Sequence, residues 1–160
     1  MGSTSDLPVM EKACKWLDDN EIPFEVNALS AHRPPDAVEA FAKGAQERGI
    51  KVIIAAAGMA AALPGVIAAS TNLPVIGVPI KGMLDGLDAM LSIIQMPPGI
   101  PTATVGVNAA QNAAILAAQI IGLSDSAVAA KVAAHKAGLG AKIEKANKDL
   151  AEVKYNFKTN

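Results

Sequence analysis

The sequence predicts an α/β protein in which helices cover both faces of a parallel sheet. Segments with apolar residues at helical spacing alternate along the chain with short runs that are apolar throughout. Such runs are typical of parallel strands that are buried on both faces. Two polar loops follow in places where strands are expected to end, which is where ligands bind in open sheets of this kind.

The expected elements follow one another in a regular order. Residues 7–19 place Met10, Ala13 and Leu17 at helical spacing with charged residues between them, and so predict the first helix. Pro79 closes the run 75–78 as a strand. The other helices are expected at 36–48, in an Ala-rich segment after Gly65, and at 85–94, 109–121 and 125–153; the strands are expected at 24–29, 51–57, 75–78 and 102–107.

Length and composition predict one domain. A chain of 160 residues can bury a core without disulfides or metals, and we divide it into a core at 1–122 and a C-terminal helical arm at 123–160. The net charge of −1 gives no overall field toward nucleic acid or an anionic membrane. A lone Cys14 and the lack of a charged-then-apolar leader favour a reducing cytoplasm.

The uncharged segment 52–69 approaches the length of a membrane span. It is mostly Ala and Gly, however, and 63–65 (Leu-Pro-Gly) reads as a turn. We therefore interpret it as a buried strand, a loop and a helix of small residues.

The loop 2–6 (GSTSD) has the composition of a phosphate cradle. Gly2 allows close backbone approach, Ser3 and Ser5 offer hydroxyl donors, and the helix start at Pro8 directs N–H groups toward an anion. The alternative is an ordinary helix start with Ser5 or Asp6 as N-cap. A carboxylate repels phosphate, so Asp6 is assigned either to capping or to the hydroxyls of a ribose.

The second loop, 30–34, combines His32 with Arg33. An imidazole can exchange a proton near neutral pH, and a guanidinium can bind a phosphate through two hydrogen bonds. Either residue could instead be an ordinary loop side chain. Their adjacency at an expected strand end favours an active site for a small phosphorylated substrate.

Other candidate groups are set aside. His135 lies in a helical pattern among lysines and receives no role, and Asp85 and Asp88 lack a third metal ligand nearby. The chain contains no glycine-rich signature for a dinucleotide or ATP. The residues themselves therefore predict neither a metal site nor a dinucleotide or ATP site.

Two segments suggest more than one subunit. Residues 109–121 are apolar around most of the helix, which calls for burial on several sides. The arm is longer than a small sheet needs and ends near Tyr155 and Phe157. It could dock on a neighbouring protomer or fold back on its own domain.

Six collinear segments resemble one enzyme family of purine biosynthesis, which contains 5-(carboxyamino)imidazole ribonucleotide mutase and aminoimidazole ribonucleotide carboxylase. Together they span nearly the whole chain, and in combination they are far more specific than any one of them. They are GSTSD at 2–6, SAHRPP at 30–35, AAGMAAALPG at 56–65, LPVIGVP at 73–79, SIIQMPPGIP at 92–101 and NAAILAAQI at 112–120.

The resemblance implies a flavodoxin-like fold, a homo-octamer with active sites shared between subunits, and no cofactor. The reaction it implies moves a carboxylate from the exocyclic nitrogen to carbon 4 of the imidazole, with carbon dioxide as an intermediate in a closed pocket. By position His32 exchanges the proton at that carbon. The implied substrate-binding residues are Ser3, Ser5, Asp6 and Arg33, with the backbone of Ser30, Ala57 and Gly58.

One departure from the family pattern leaves the subclass open. Mutases usually carry His where this chain has Ala62, whereas the segment 58–61 (Gly-Met-Ala-Ala) is mutase-like. We expect a mutase first and a direct carboxylase second. A third alternative is a flavodoxin-like module that binds a nucleotide without catalysis; an electron-transfer flavodoxin is disfavoured because the chain lacks an aromatic pair to hold a flavin.

A second departure concerns the start of the sequence. The family carries an apolar strand immediately before its Met-Gly-Ser, and this sequence begins at that Met. We expect the missing strand to lie between 24–29 and 51–57, which would otherwise run parallel with a slot between them.

Overall fold

The computed structural model describes residues 1–33 and 35–159. Within this part of the chain, a short 3₁₀ helix at Thr4–Asp6 precedes six α-helices and three strands. The strands are β1 (Ile53–Gly58), β2 (Val75–Ile80) and β3 (Ala103–Thr104). The helices are α1 (Leu7–Asp19), α2 (Pro35–Gly44), α3 (Leu63–Ser70), α4 (Leu87–Ile94), α5 (Ala110–Gly122) and α6 (Ser126–Ala151).

The strands form a parallel sheet in the order β1-β2-β3. Successive side chains of a strand point to opposite faces, so the sheet contributes side chains to two separate hydrophobic cores, one on each face. Ala56, Ile76 and Val78 pack with α1 and α5, whereas Ile53 and Ala55 pack with α2, α3 and α4. The predicted three-layer α/β architecture is thereby confirmed.

Small residues let the layers approach closely. Both cores are rich in alanine, and at Gly77 of β2 a Cβ atom would lie 2.3 Å from Cγ2 of Ile93. Ile93 is buried in α4 and cannot rotate away without disturbing its neighbours. Glycine at position 77 therefore sets the distance between α4 and the sheet.

Four predicted boundaries were wrong. Leu63 and Pro64 begin α3 instead of forming a turn, because proline fits the first turn of a helix. α2 ends at Gly44, and turns lead to Gly49, whose φ of 84° reverses the chain toward β1. α4 begins only at Leu87, after three residues with positive φ. The strand expected at 102–107 is paired with β2 as a strand only over Ala103–Thr104.

Pro79 continues β2 instead of closing it. The N–H groups of alternate residues in β2 face β1, and position 79 faces the other way, toward β3. β3 ends at Thr104, so no carbonyl of β3 lies opposite Pro79 and needs the N–H that proline lacks. The carbonyl of Pro79 is used nevertheless, since it accepts the N–H of Asn108 at 2.8 Å.

The strand predicted at 24–29 is not formed. This segment has no regular secondary structure, and among residues 1–33 and 35–159 its backbone bonds to Met1 alone: Asn27 accepts from the Met1 amino group and Leu29 donates to the Met1 carbonyl, each at 2.9 Å. A strand needs a continuous partner, and Met1 supplies one residue of pairing.

The C-terminal helix begins on its own domain and extends away from it. Asp125 caps α6 by accepting two backbone N–H groups, Trp16 donates its indole N–H to Nδ1 of His135, and Lys131 pairs with Glu21. Beyond His135, the apolar side chains of the helix and tail are exposed; they are Leu139, Ile143, Leu150, Val153, Tyr155 and Phe157. The fold-back alternative thus describes the first part of the arm.

We predict that Gly77→Ala lowers the free energy of unfolding by about 1–3 kcal/mol, the usual cost of overpacking a core. The matched control is Gly138→Ala on α6, where nothing lies within 4 Å of the new Cβ. There alanine should stabilise by about 0.5–1 kcal/mol through its helix propensity. Urea unfolding measures both, and equal stability of the two variants would contradict the packing argument.

Candidate active site

Backbone hydrogen bonds bring the two polar loops to the carboxyl end of β1. The N–H of Gly2 donates to the carbonyl of Ala56 at 3.1 Å, and the N–H of Leu29 donates to the carbonyl of Met1 at 2.9 Å. The loops that follow Gly2, Leu29 and Ala56 therefore leave the same edge of the sheet. This is the edge where the sequence placed a site.

The first loop is held by its own polar groups. Oγ of Ser3 accepts from the N–H of Ser5 at 3.2 Å and from the Ser5 hydroxyl at 2.9 Å. Oδ2 of Asp6 accepts from the N–H of Ser3 at 3.1 Å, which completes a capping box. Ser3 is thus the N-cap of the 3₁₀ helix, and Asp6 holds the N-cap position of α1, as one of the two sequence alternatives had it, although its side chain makes no capping bond to α1.

This capping leaves polar groups available at the surface. The side chains of Ser3 and Ser5 are exposed, whereas Asp6 is buried at 8% exposure. One carboxylate oxygen of Asp6 serves the loop, and the other, Oδ1, lies 3.5 Å from the Ser5 hydroxyl. The loop can therefore present two hydroxyls and part of a fixed carboxylate to a ligand.

The second loop is a turn organised by Ser30. Its Oγ accepts from the N–H of His32 and its carbonyl accepts from the N–H of Arg33, both at 3.3 Å. The side chains of His32 and Arg33 are exposed, and within residues 1–33 and 35–159 neither makes a hydrogen bond or an ion pair. The imidazole and the guanidinium are both accessible at this edge. Pro34, the next residue of this predicted loop, lies outside the described residues.

The third loop begins where β1 ends, at Ala57 and Gly58. Ala57 is buried, and a Cβ at Gly58 would lie 3.4 Å from the carbonyl oxygen of Ile80. Met59 and Ala61 then adopt φ values of 57° and 45°, in the left-handed region that costs non-glycine residues energy. The Ser92 hydroxyl donates to the carbonyl of Ala60 and so ties this loop to α4.

Asn108 is a residue that the sequence analysis missed. Its side-chain oxygen accepts the N–H of Lys81 at 2.9 Å, and its own N–H donates to Pro79. It has a φ of 57°, which asparagine tolerates better than most residues. Asn108 thereby joins the loop after β2 to the loop after β3. The available sequence signal was an Asn at an expected strand end.

Strained backbone is concentrated at this edge of the sheet. Left-handed residues follow β1 at Met59 and Ala61, follow β2 at Leu84 and Asp85, and follow β3 at Asn108. Such conformations persist only where surrounding contacts hold them, and they cluster at ligand sites.

The described part of the chain offers no group of three or more acidic, His or Cys side chains that could hold a metal. Asp85 instead pairs with Lys81 at 3.0 Å. None of the helices in residues 1–33 and 35–159 has the length and apolar character to cross a membrane.

Comparison with known proteins identifies the family. The family model described as AIR carboxylase matches residues 1–142. N5-carboxyaminoimidazole ribonucleotide mutase of Pyrococcus horikoshii is 51% identical over 154 residues, which cover 96% of this chain and 87% of the relative. Phosphoribosylaminoimidazole carboxylase of Saccharomyces cerevisiae is 56% identical over 133 residues, but these cover 82% of this chain and 23% of that longer protein.

A solved structure supports the same assignment. The crystal structure of Treponema denticola PurE superposes with a TM-score of 0.82 at 30% identity, and the match covers 94% of each chain. The predicted flavodoxin-like α/β fold is therefore confirmed in a relative of known structure. By family match, sequence identity and fold together, this chain belongs to the AIR carboxylase family.

Proposed function

We propose that the protein is a 5-(carboxyamino)imidazole ribonucleotide mutase, an isomerase of purine biosynthesis. The observation that carries this proposal is the near full-length match to a relative named as that mutase. The site geometry is consistent with it, because three loops at one edge offer hydroxyls, a guanidinium and an imidazole. These groups suit a substrate with a phosphate, a ribose and a ring that exchanges a proton.

We assign the phosphate to Ser3, Ser5 and Arg33. The hydroxyls lie beside the start of α1, where backbone N–H groups and the helix dipole favour an anion. Arg33 adds an exposed cation that can bind two phosphate oxygens. Asp6 takes the ribose hydroxyls through Oδ1, since Oδ2 is already bound to Ser3. The backbone of Ser30, Ala57 and Gly58 lines the ring pocket.

The reaction needs one proton exchange and a closed space. The bond between the exocyclic nitrogen and the carboxylate carbon breaks, its electron pair stays on nitrogen, and carbon dioxide is released. Carbon 4 then bonds to carbon dioxide and gives up its proton. His32 takes that proton and returns one to the nitrogen, so the net change is an exchange of proton and carboxylate between the two atoms.

The remaining catalysis comes from confinement. Carbon dioxide held against the ring reacts as if at high concentration, and exclusion of water keeps it from escaping. His32 and Arg33 are exposed in the isolated subunit, so closure requires the substrate and neighbouring chains. We therefore include a homo-octamer in the cytoplasm, with sites shared between subunits, in the proposal.

Exposed apolar side chains beside the site support this assembly. Met59, Met83, Leu84 and Leu87 are each more than half exposed, and they lie on the loops after β1 and β2 and at the start of α4. Large exposed apolar groups of this kind mark protein interfaces.

Light scattering of the purified protein should give a mass of eight 16.3 kDa chains, about 130 kDa.

A direct carboxylase is the second candidate. It is favoured by Ala62, which stands where mutases usually carry His, and by the yeast relative named as a carboxylase. Incubation with the carboxyamino substrate, and separately with aminoimidazole ribonucleotide and bicarbonate, distinguishes the two. We expect rapid conversion of the first at low bicarbonate. Conversion of the second alone would establish the carboxylase.

His32→Asn should lower turnover by about 10²- to 10⁴-fold, the usual contribution of a general acid-base. Asparagine keeps hydrogen-bonding capacity but cannot exchange a proton, so substrate binding should change little. Steady-state kinetics and calorimetric titration measure the two effects. The control is His135→Asn, which alters the chain's second histidine; this residue lies on α6, and the variant should retain normal turnover. A nearly active His32 variant would favour the non-catalytic binding module.

Arg33→Ala should weaken substrate binding by about 2 kcal/mol or more, because a charge-assisted contact in a desolvated pocket is lost. The chain's other arginine provides the control: Arg48 pairs with Glu25 at 3.2 Å and lies over the ring of Phe41. Arg48→Ala should leave the substrate Kd unchanged. Titration calorimetry with the ribonucleotide gives both values, and equal Kd values for the two variants would remove Arg33 from the phosphate site.

A further inference from the structure

Lys81 lies at the same edge of the sheet as the candidate site. It directly follows Ile80, the last residue of β2, which is in register with Gly58 at the end of β1. A Cβ atom at Gly58 would lie 3.4 Å from the carbonyl oxygen of Ile80, so the two strand ends are in close contact. The loop that carries Lys81 therefore begins beside the backbone to which we assign the ring pocket.

Lys81 and the first polar loop lie on opposite sides of β1. Successive residues of a parallel strand direct their backbone groups to alternate sides. Ile53 of β1 donates its N–H to Pro74, just before β2, whereas Ala56 accepts from Gly2 on the other side. The two loops are thus about 10 Å apart, which is two strand spacings, with the end of β1 between them. A ligand that spans the end of β1 can contact both loops.

The backbone of Lys81 is held from two sides. Its N–H donates to Oδ1 of Asn108 at 2.9 Å. The loop then turns back at Gly86, which has a φ of 89°, and a Cβ atom there would lie 3.2 Å from Cα of Lys81 and 2.7 Å from Cγ1 of Val107. Positive-φ residues that pack this closely fix the start of the loop, and such conformations cluster at ligand sites.

The side chain of Lys81, in contrast, is held only by an exposed ion pair. Its Nζ lies 3.0 Å from a carboxylate oxygen of Asp85, and the two side chains are 59% and 86% exposed. Pairs this exposed contribute little to stability, because water competes for both charges. A carboxylate on a ligand can therefore replace that of Asp85 at little cost.

The charges of the proposed substrate require a second cation beside Arg33. A phosphate group carries about −1.5 to −2 at neutral pH, and the transferred carboxylate adds one more negative charge. Arg33 is assigned to the phosphate, and Asp6 adds a negative charge to the site. In the described part of the chain, the other lysines and arginines lie on helices, between α2 and β1, or in the tail after α6. Lys81 is thus the one further Lys or Arg on a loop at this edge.

We propose that Lys81 binds the carboxylate that the enzyme transfers, and so discriminates carboxylated from uncarboxylated ribonucleotides. A desolvated carboxylate without a partner is costly, and a charge-assisted bond to an ammonium group offsets that cost. The assignment rests on the proposed function. It applies to a mutase and to a direct carboxylase alike, since both form a carboxylate on carbon 4.

Asp85 gives Lys81 an alternative partner during the reaction. A nearby cation stabilises the carboxylate relative to neutral carbon dioxide, and by itself would oppose decarboxylation. When carbon dioxide leaves the nitrogen, the electron pair stays behind and Lys81 can return to Asp85. Lys81 is released again when carbon dioxide becomes a carboxylate on carbon 4.

Calorimetric titration with two ligands tests the assignment: the ribonucleotide carboxylated on carbon 4, and aminoimidazole ribonucleotide, which lacks the carboxylate. Lys81→Met should raise the Kd of the carboxylated ligand at least about tenfold, and that of the other less than about twofold, because only the first loses a charge-assisted contact. Lys81→Arg should recover most of the lost affinity, since it restores the charge. Lys51→Met, at an exposed lysine before β1, is the matched control and should change neither Kd.

The outcomes separate this assignment from the proposed function. If the wild-type protein binds neither ribonucleotide, the proposed function fails, and the assignment fails with it. If the wild-type protein binds both, and Lys81→Met weakens both equally or neither, only the assignment of Lys81 fails. A Lys81→Arg variant as weak as Lys81→Met would also contradict it. If circular dichroism shows that Lys81→Met and Lys81→Gln both fail to fold, Lys81 has a structural role and the assignment is overturned.

Discussion

The parallel pairing around the carboxyl end of β1 is the interaction on which the candidate site depends. Ala56 holds Gly2, and Met1 holds Leu29, so three loops from distant parts of the sequence begin within one ladder. The register of these backbone bonds is strongly specified, because a slip by one residue would turn every buried side chain of the strand to the other face of the sheet. The positions of Ser3 and His32 follow from this register and not from local sequence.

The cores on either side of the sheet are built mainly from small residues. Alanine and glycine allow helices to approach the strands closely, as Gly77 does beneath Ile93, and they leave little tolerance for added volume. Each alanine buries little area, so the fold gains stability from many modest contacts. Backbone pairing between the strands therefore contributes a larger share of the stability than it would in a core of large side chains.

The chemistry of the site is divided between rigid and accessible groups. Asp6 and Ser3 are fixed by the capping box, and Asn108 fixes the neighbouring loops, whereas His32 and Arg33 are exposed on their turn. Pre-positioned loops with exposed reactive side chains suit a pocket that is completed by a ligand and by other subunits. The exposed apolar residues after β1 and β2 agree with that arrangement.

The sequence by itself determined the layered α/β fold, the helices at 7–19 and near 109–121, and the residues that meet at the site. Periodicity reports which face of an element is buried, and Gly, Ser, His and Arg carry their chemistry wherever they are placed. Only the tertiary structure decided where elements begin and end. Pro79 stays in β2 because β3 has already ended, and 24–29 is no strand because, in the described part of the chain, its backbone pairs with a single residue, Met1. The role of Asn108 also required the fold, since it depends on which backbone groups face each other across residues far apart in the chain.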